Sequence, residues 1–579
     1  MTDLRVWAPH AERMEVVGDE QRLSLRAEDG GWFSGSHDFN EYMLSLDGGE
    51  PRPDPRSPWQ PRGVHGPSRV VDHEIFRWTD DTWKGFPLRD AVIYELHIGT
   101  FTSSGTFQAA IEKLDHLVGL GVNAVELMPL NEFPGDRGWG YDGVDLYAPH
   151  HAYGGPEGLK HLVDACHSKG LAVILDVVYN HLGPAGNFLR EFGPYFTDRY
   201  GTPWGDAVNL DDRGSTEVRN FFIENALGWL DNYHFDGLRL DAIHAIYDQS
   251  AIHFLEELAA RVDEHEKRSG RTLWLIAESD LNDPRVVRPR DAGGYGIDAQ
   301  WSDDLHHSLH ALLTGEKTGY YSDFGTIAHV AKALRHAFVY DGKPSAFRGR
   351  VHGRPTEGLD GERFLGYLQT HDQVGNRALG ERSSALMDHD LLKVGAALVL
   401  TSPFVPMLFQ GEEWGATTPF LYFTDHDDPD LRKAVREGRR REFAAFGWDP
   451  DEIADPQDPS TFERSKLDWS ELDDPRHADL LAWHRDLIRA RREVPDLGAG
   501  GMKAVDARFD EDERWLVVRR GTATVLANLS DAERTIPVKR EPGRLLLSSG
   551  GEISGTDPSG TDENITLPRQ SASIYVRDR

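Results

Sequence analysis

LAVILDVVYNH, Leu171 to His181, runs apolar as far as a carboxylate, Asp176, and ends in a polar tail at Asn180 and His181. Apolar residues at successive positions fit a strand covered on both faces, because alternation disappears when neither face meets water. The segment before it, PEGLKHLVDACHSKG, opens on Pro156, stops at Gly170 and spaces its apolar residues as a helix does. A helix feeding a buried strand is the repeating unit of a parallel sheet, and the same alternation recurs from Arg89 onward. Eight such strands are expected, over Ala91–Gly99, Val122–Leu130, Leu171–Tyr179, Phe235–Ala242, Thr272–Ser279, Ile297–Asp303, Phe364–Thr370 and Phe404–Gly411. Eight parallel strands with crossover helices predict an α/β fold, the (β/α)8 TIM barrel, with chemistry at the carboxyl ends of the strands.

The flanks read differently. LRVWAP, MEVVG, WFSGS and EYMLSLDG are short β-rich runs separated by turn residues, which predicts an N-terminal immunoglobulin-like β-sandwich. The Pro- and Gly-rich stretch from Gly48 to Ser68 should run extended over a surface, its aromatic residues acting as braces. RWLVVRR, ATVLANL, GRLLL and SASIYVR predict a C-terminal β-sandwich. The expected divisions are therefore 1–88, 89–498 for the barrel with its loop excursions, and 499–579. An excursion after the eighth strand, from Asp425 to Trp469, should be partly helical, with the basic cluster Arg436–Arg441 on a solvated face paired with acids.

With 63 Lys plus Arg against 96 Asp plus Glu among 579 residues, the formal charge is −33. That field repels phosphate backbones and anionic lipid, so no nucleic-acid or membrane partner is expected, while an uncharged substrate is unaffected. Leu391 to Phe409 is interrupted by Lys393 and Pro403, and reads as a helix followed by a buried strand rather than a membrane span. A single cysteine, Cys166, excludes an internal disulfide and a thiolate zinc cage. MTDLRVWAPHAERMEVV does not have the form of an export signal, so a reducing cytoplasm is the expected location.

In a barrel the informative polar residues are those that end an apolar strand. Asp176, Asp241 and Glu278 do so, and Asp372 follows the seventh strand. Converging carboxylates without a metal cage suit glycoside cleavage, which needs one acid to protonate the leaving oxygen and one carboxylate across the anomeric carbon. Arg239, two residues before Asp241 on the same strand face, should hold that carboxylate ionised. Glu278, ending an apolar strand beside other negative charge, should be raised toward the range of a proton donor.

DVVYNH (Asp176–His181), DGLRLDAIH (Asp236–His244), IAESD (Ile276–Asp280) and QTHDQVGNR (Gln369–Arg377) resemble the four signature regions of the α-amylase-type glycoside hydrolases, family 13. The resemblance implies Asp241 as nucleophile, Glu278 as general acid/base and Asp372 as the carboxylate gripping sugar hydroxyls. It also implies Tyr141 of WGYD stacking on a sugar ring, with Asp142, Asp176, His181, Arg239, His244, His371, Gln373 and Trp204 contacting substrate. WAPHAERMEVVGD and PDPRSPWQPRGVHGPS are similar to the domain that precedes the barrel in branching, debranching and trehalose-releasing members. PYFTDRYGTPWGDAVN and GEEWGATTPFLYFTDH are most similar to the maltooligosyltrehalose trehalohydrolase group. That similarity implies retaining hydrolysis of the α-1,4 bond next to the terminal trehalose of a maltooligosyl trehalose, a substrate made by a partner synthase. Leaving-side contacts are expected around Trp204, Tyr422 and His426. A glucan-branching or debranching enzyme is the alternative reading, and a non-catalytic glucan-binding protein a remote one.

Two patterns carry less. Gly138-Trp-Gly-Tyr-Asp-Gly143 fits GxGxxG but leads into VDLYAPHH rather than a helix, so no dinucleotide cofactor is expected. The acidic run Asp425–Asp430 lacks the turn glycine of a calcium loop, and Asn180, where amylases often hold calcium, has no recognisable partner ligands. No required metal and no cofactor are expected.

Overall fold

The structure is a computed structural model that describes residues 1–19, 21–444, 453–538, 543–551 and 564–577. Its centre is a closed barrel of eight parallel strands, β1 (Ile93–Leu96), β2 (Ala124–Leu127), β3 (Ala172–Val177), β4 (Gly237–Leu240), β5 (Trp274–Ala277), β6 (Ala299–Trp301), β7 (Phe364–Gly366) and β8 (Val405–Phe409). Neighbours in sequence are neighbours in the sheet, and β8 closes on β1 with Leu408 opposite Tyr94. Each strand lies inside one of the eight runs expected from the sequence. The helices between them include α1 (Gly155–Ser168), with Pro156 in its first turn, and α2 (Ser215–Asn232).

The two-residue period of a strand decides what fills the barrel. Ile93, Ala124, Ile174, Trp274, Ile276, Ala299, Trp301, Leu365, Val405 and Met407 form one interior apolar cluster. Two residues further along β1, β2 and β3, on the same face, the chain places Glu95, Glu126 and Asp176, each 1% exposed. Arg239 stands opposite Asp176 in the register of β3 with β4. The lumen is thus oily at its amino end and charged at its carboxyl end.

Thr2–Trp7, Trp32–His37 and Arg26–Glu28 form a three-stranded N-terminal sheet, and Gln21–Ser24, Met14–Gly18, Glu41–Leu46 and Ser68–Arg69 a four-stranded one. The stretch that follows braces the barrel, as its composition suggested. Arg56 pairs with Glu224 at 2.5 Å and donates to the Tyr147 hydroxyl at 3.0 Å. The Trp83 indole donates to Asp236 at 2.7 Å, and Trp59 packs against Gly155 at the start of α1. At the other end, Val505–Asp510, Trp515–Arg520, Ala523–Asn528, Ser571–Val576 and Arg544–Ser548 form a five-stranded sheet, with Arg534–Pro537 and Asn564–Leu567 as a further pair. His389–Leu400 is a helix leading into β8, and among the described residues no helix is long and apolar enough to cross a membrane. The excursion is helical over Pro429–Ala444; in it Arg436 pairs with Asp455, whereas Arg439 turns toward the barrel mouth and donates to Gly375 O.

Candidate active site

Asp176 and Arg239 are aligned because β3 and β4 pair in register. Arg239 Nη1 donates to both Asp176 oxygens, at 2.8 and 2.9 Å, and to Asp241 Oδ1 at 2.8 Å. Its Nη2 lies 3.8 Å from Glu278 Oε2, and its guanidinium carbon 4.4 Å from the centre of the Trp301 ring. A fully buried cation therefore faces three carboxylates from three adjacent strands. Burial raises the Asp176 carboxyl to about 6, with Arg239 opposing and the Asp241 charge reinforcing that rise. Glu278 is pushed well above the usual carboxylate range, chiefly by desolvation, which Arg239 opposes and the negative charges of Asp241 and Asp372 reinforce. It is held as the neutral acid that a proton donor requires.

The backbone after Asp241 is strained. Ala242 adopts φ 37°, ψ 52°, the left-handed region that disfavours a residue with a Cβ, at a cost of about 1–3 kcal/mol. This turn aims the Ala242 N–H at Glu278 Oε2, 2.5 Å away, and the Ile243 N–H at the Glu278 carbonyl, 3.1 Å away. The loop leaving β4 thereby fixes the residue that ends β5.

Across the mouth, Thr370 and Gln373 form a capping box that starts the helical turn His371–Gly375. His371 lies between two strands' charges. Its Nδ1–H donates to Glu95 Oε1 and its backbone N–H to Glu95 Oε2 at 3.0 Å, while Nε2–H donates to the Tyr141 hydroxyl at 2.7 Å. The Tyr141 hydroxyl in turn donates to Asp176 Oδ2 at 2.7 Å. Both imidazole nitrogens are thus donors. Burial alone would lower the pKa of His371, but the charges of Glu95 and Asp372 overcome it and lift the ring to about 9. Trp139 packs edge-on to His371 with centroids 5.5 Å apart.

Among the expected substrate contacts, Tyr141, Asp176, His181, Arg239 and His371 converge with the three carboxylates. His181 Nε2 reaches Tyr141 O at 3.0 Å, and the half-exposed Trp204 stacks on its ring, centroids 4.2 Å apart and planes 6° apart. Asp142 is raised by burial, opposed by His426, whose Nε2 lies 3.6 Å from it. His426 is 2% exposed, so it does not lie on the surface; its backbone N–H donates to Gln457 Oε1 at 3.1 Å and its carbonyl accepts from Arg432 of the Pro429–Ala444 helix. Gln373 uses its amide oxygen to cap Thr370. His244 is exposed and makes no hydrogen bond to this cluster among the described residues. Tyr422 packs on Trp139 beneath the Arg439 guanidinium.

Glu95, Glu126, Ala242 and Trp139 were missed in the sequence. The signal for the two glutamates was present: a carboxylate inside AVIYELHIG and another inside VNAVELMPL, each in a strand otherwise apolar. Glu126, held well above the usual range by burial and then by Glu95, has neither oxygen hydrogen-bonded to a described residue.

The alpha-amylase catalytic-domain family matches residues 76–197, and a domain of unknown function matches residues 501–574. A malto-oligosyltrehalose trehalohydrolase of Arthrobacter ramosus is 52% identical over 560 residues, 95% of this chain and 96% of its own length. Another from Rhizobium sp. (strain M-11) is 48% identical, covering 99% of this chain and 97% of the relative. A crystal structure of a Salmonella typhimurium protein of the alpha amylase kind superposes with a TM-score of 0.90 at 38% identity, over 100% of this chain and 97% of that one.

Proposed function

The chain belongs to the malto-oligosyltrehalose trehalohydrolases, a glycosidase group of the α-amylase family, and on that premise we propose that Asp241, Glu278 and Asp372 carry its hydrolysis of the α-1,4-glucosidic bond next to a terminal trehalose. The observation that carries this reading is the single Arg239 guanidinium bonded to Asp241 and close to Glu278, whose surroundings keep it protonated. In the first step Glu278 gives its proton to the glycosidic oxygen, while an Asp241 oxygen attacks the anomeric carbon; the C–O bond breaks and trehalose leaves with the proton. In the second, the Glu278 carboxylate takes a proton from water, the water oxygen attacks the same carbon, and Asp241 is released. Asp372 holds hydroxyls of the sugar being cleaved, against the face of Tyr141, which His371 positions through its hydroxyl.

Such a substrate must come from an enzyme that builds a trehalose end onto a maltodextrin, so a synthase is the expected metabolic partner. Cytoplasmic residence fits a chain whose one cysteine, Cys166, is free and buried. The test is product chromatography with maltotriosyl trehalose and, separately, maltopentaose. Free trehalose from the first with much slower attack on the second supports the reading; longer branched products would move the chain to a transferase role. Glu278→Gln should cost about 10²–10⁴-fold in kcat. Wild-type turnover in a folded Glu278→Gln or Asp241→Ala protein would put the chemistry elsewhere.

A further inference from the structure

Away from these carboxylates, at the base of the loop that carries Trp139 and Tyr141, two histidines and a glutamate meet. Asn131–Glu132 pairs antiparallel with Asp145–Pro149, Glu132 opposite Asp145, and His150 and His151 follow directly. Glu132 Oε1 lies 2.6 Å from His151 Nδ1 and 3.3 Å from His150 Nδ1. One ligand atom from each of the three residues falls within 4.8 Å of the others, and no other such group of three occurs among the described residues.

The geometry points to a divalent transition-metal site here, with Glu132, His150 and His151 as its protein ligands and a zinc-type ion as its occupant. His150 is the telling residue. Its side chain is fully buried and stacked on Phe133, ring centroids 3.7 Å apart, yet Nε2 has no hydrogen-bond partner among the described residues and Nδ1 has only the 3.3 Å contact with Glu132. Burying an imidazole so poorly bonded is costly, and a metal shared between Nδ1 and Glu132 removes part of that cost. His151 is oriented as metal-ligating histidines are: its backbone N–H donates to Glu132 Oε2 at 2.8 Å, and its distal Nε2 faces Asp136 Oδ1 at 3.2 Å. Zn–N and Zn–O bonds of about 2.0–2.2 Å in tetrahedral geometry put ligand atoms roughly 3.3 Å apart, a spacing the His150–Glu132 pair already has and the His151–Glu132 pair reaches by opening under about 1 Å. Two imidazoles and one carboxylate select zinc, cobalt or nickel over calcium and magnesium, which take oxygen ligands. The Asp136 carboxylate behind the distal nitrogen of His151 is 79% exposed, and water completes the shell. The ion's work is mechanical: it joins the strand that launches the 133–144 loop to the one that receives it, and so fixes Tyr141. This departs from the expectation of no metal, which was drawn around Asn180 and the acidic loop.

Chain stripped with EDTA is titrated with Zn²⁺ by calorimetry and with Co²⁺ by absorption. One equivalent bound per chain, a Tm rise of about 3 °C or more, and the visible bands of four-coordinate cobalt are expected. Glu132→Gln, His150→Ala and the half-buried His151→Gln should each weaken zinc binding at least about tenfold, while exposed His336→Ala leaves it unchanged. No stoichiometric zinc, an octahedral cobalt spectrum in the wild-type chain, or binding weakened by His336→Ala and not by the other three would overturn the assignment. The cobalt spectrum decides even where a variant fails to fold.

Discussion

His371 is a cation made by its surroundings. Burial works against its charge, and Glu95, reaching it from β1 through both Nδ1 and the backbone N–H, restores that charge and more. Its folded pKa of about 9 lies above the ordinary 6.5, so the stability it contributes is complete below pH 6.5 and is lost as pH rises through 9. Glu95→Gln should flatten that fall and lower Tm near neutrality. It should also draw the alkaline limb of kcat/KM down by about a pH unit or more, since an opposite charge at this range moves a pKa by roughly 1–3. Melts and rates measured across pH 5–10 check this, and a variant whose stability still declines between 6.5 and 9 would remove Glu95 from the role. Asp176, Asp241 and Glu278 were legible because each ends an apolar run. Glu95 lay inside one, and only the closure of the barrel brings β1 to His371.

The turn His371–Gly375 depends on a missing side chain. A Cβ on Gly375 would come within 2.1 Å of the Trp139 ring, which itself rests on His371 and on Phe420. Gly375→Ala should therefore leave the barrel folded but displace Trp139 and the subsite behind it, lowering kcat/KM by about 10²-fold, the cost typical of a misplacement near 1 Å. Near-UV circular dichroism would follow the tryptophan and single-turnover rates the chemistry. The hairpin Phe196–Thr202 and Gly205–Val208 presents Trp204 to solvent over His181. Trp204→Ala should raise KM several-fold at nearly constant Tm, in line with about 0.5–1.5 kcal/mol for an aromatic stack. The barrel strands were readable because burial on both faces makes a run uniformly apolar. This hairpin was not, since FTDRYGT has mostly polar side chains on both faces and takes its shape from the cleft it borders.

The flanking sheets are fastened to the barrel through polar contacts rather than laid beside it. In the C-terminal sheet Arg520 donates to Thr401 O and Leu497 O, beside Arg491 of the preceding helix Pro475–Glu493, which donates to Leu400 O, Ser402 O, Leu497 O and Phe404 O. Glu511 accepts from the first N–H groups of the Ile327–His336 helix, Ile327 at 3.1 Å and Ala328 at 2.8 Å. Chain ended at residue 500 should leave Thr401 O and the Ile327 and Ala328 N–H groups short of partners. We expect loss of soluble, cooperatively melting protein, and a single sharp thermal transition from such a truncation would contradict it. Sequence patterning found these sheets but not their attachment, because an arginine bonded to main-chain carbonyls leaves no trace in hydropathy. The attachment also bears on how the chain is made. Thr401, in the turn that leads into the eighth strand, is bonded by an arginine more than a hundred residues further on, which reaches it roughly ten seconds later at about 5–20 residues per second. During that interval the nascent barrel holds all eight strands with its final seam unsecured, and this is when a chaperone has most to protect.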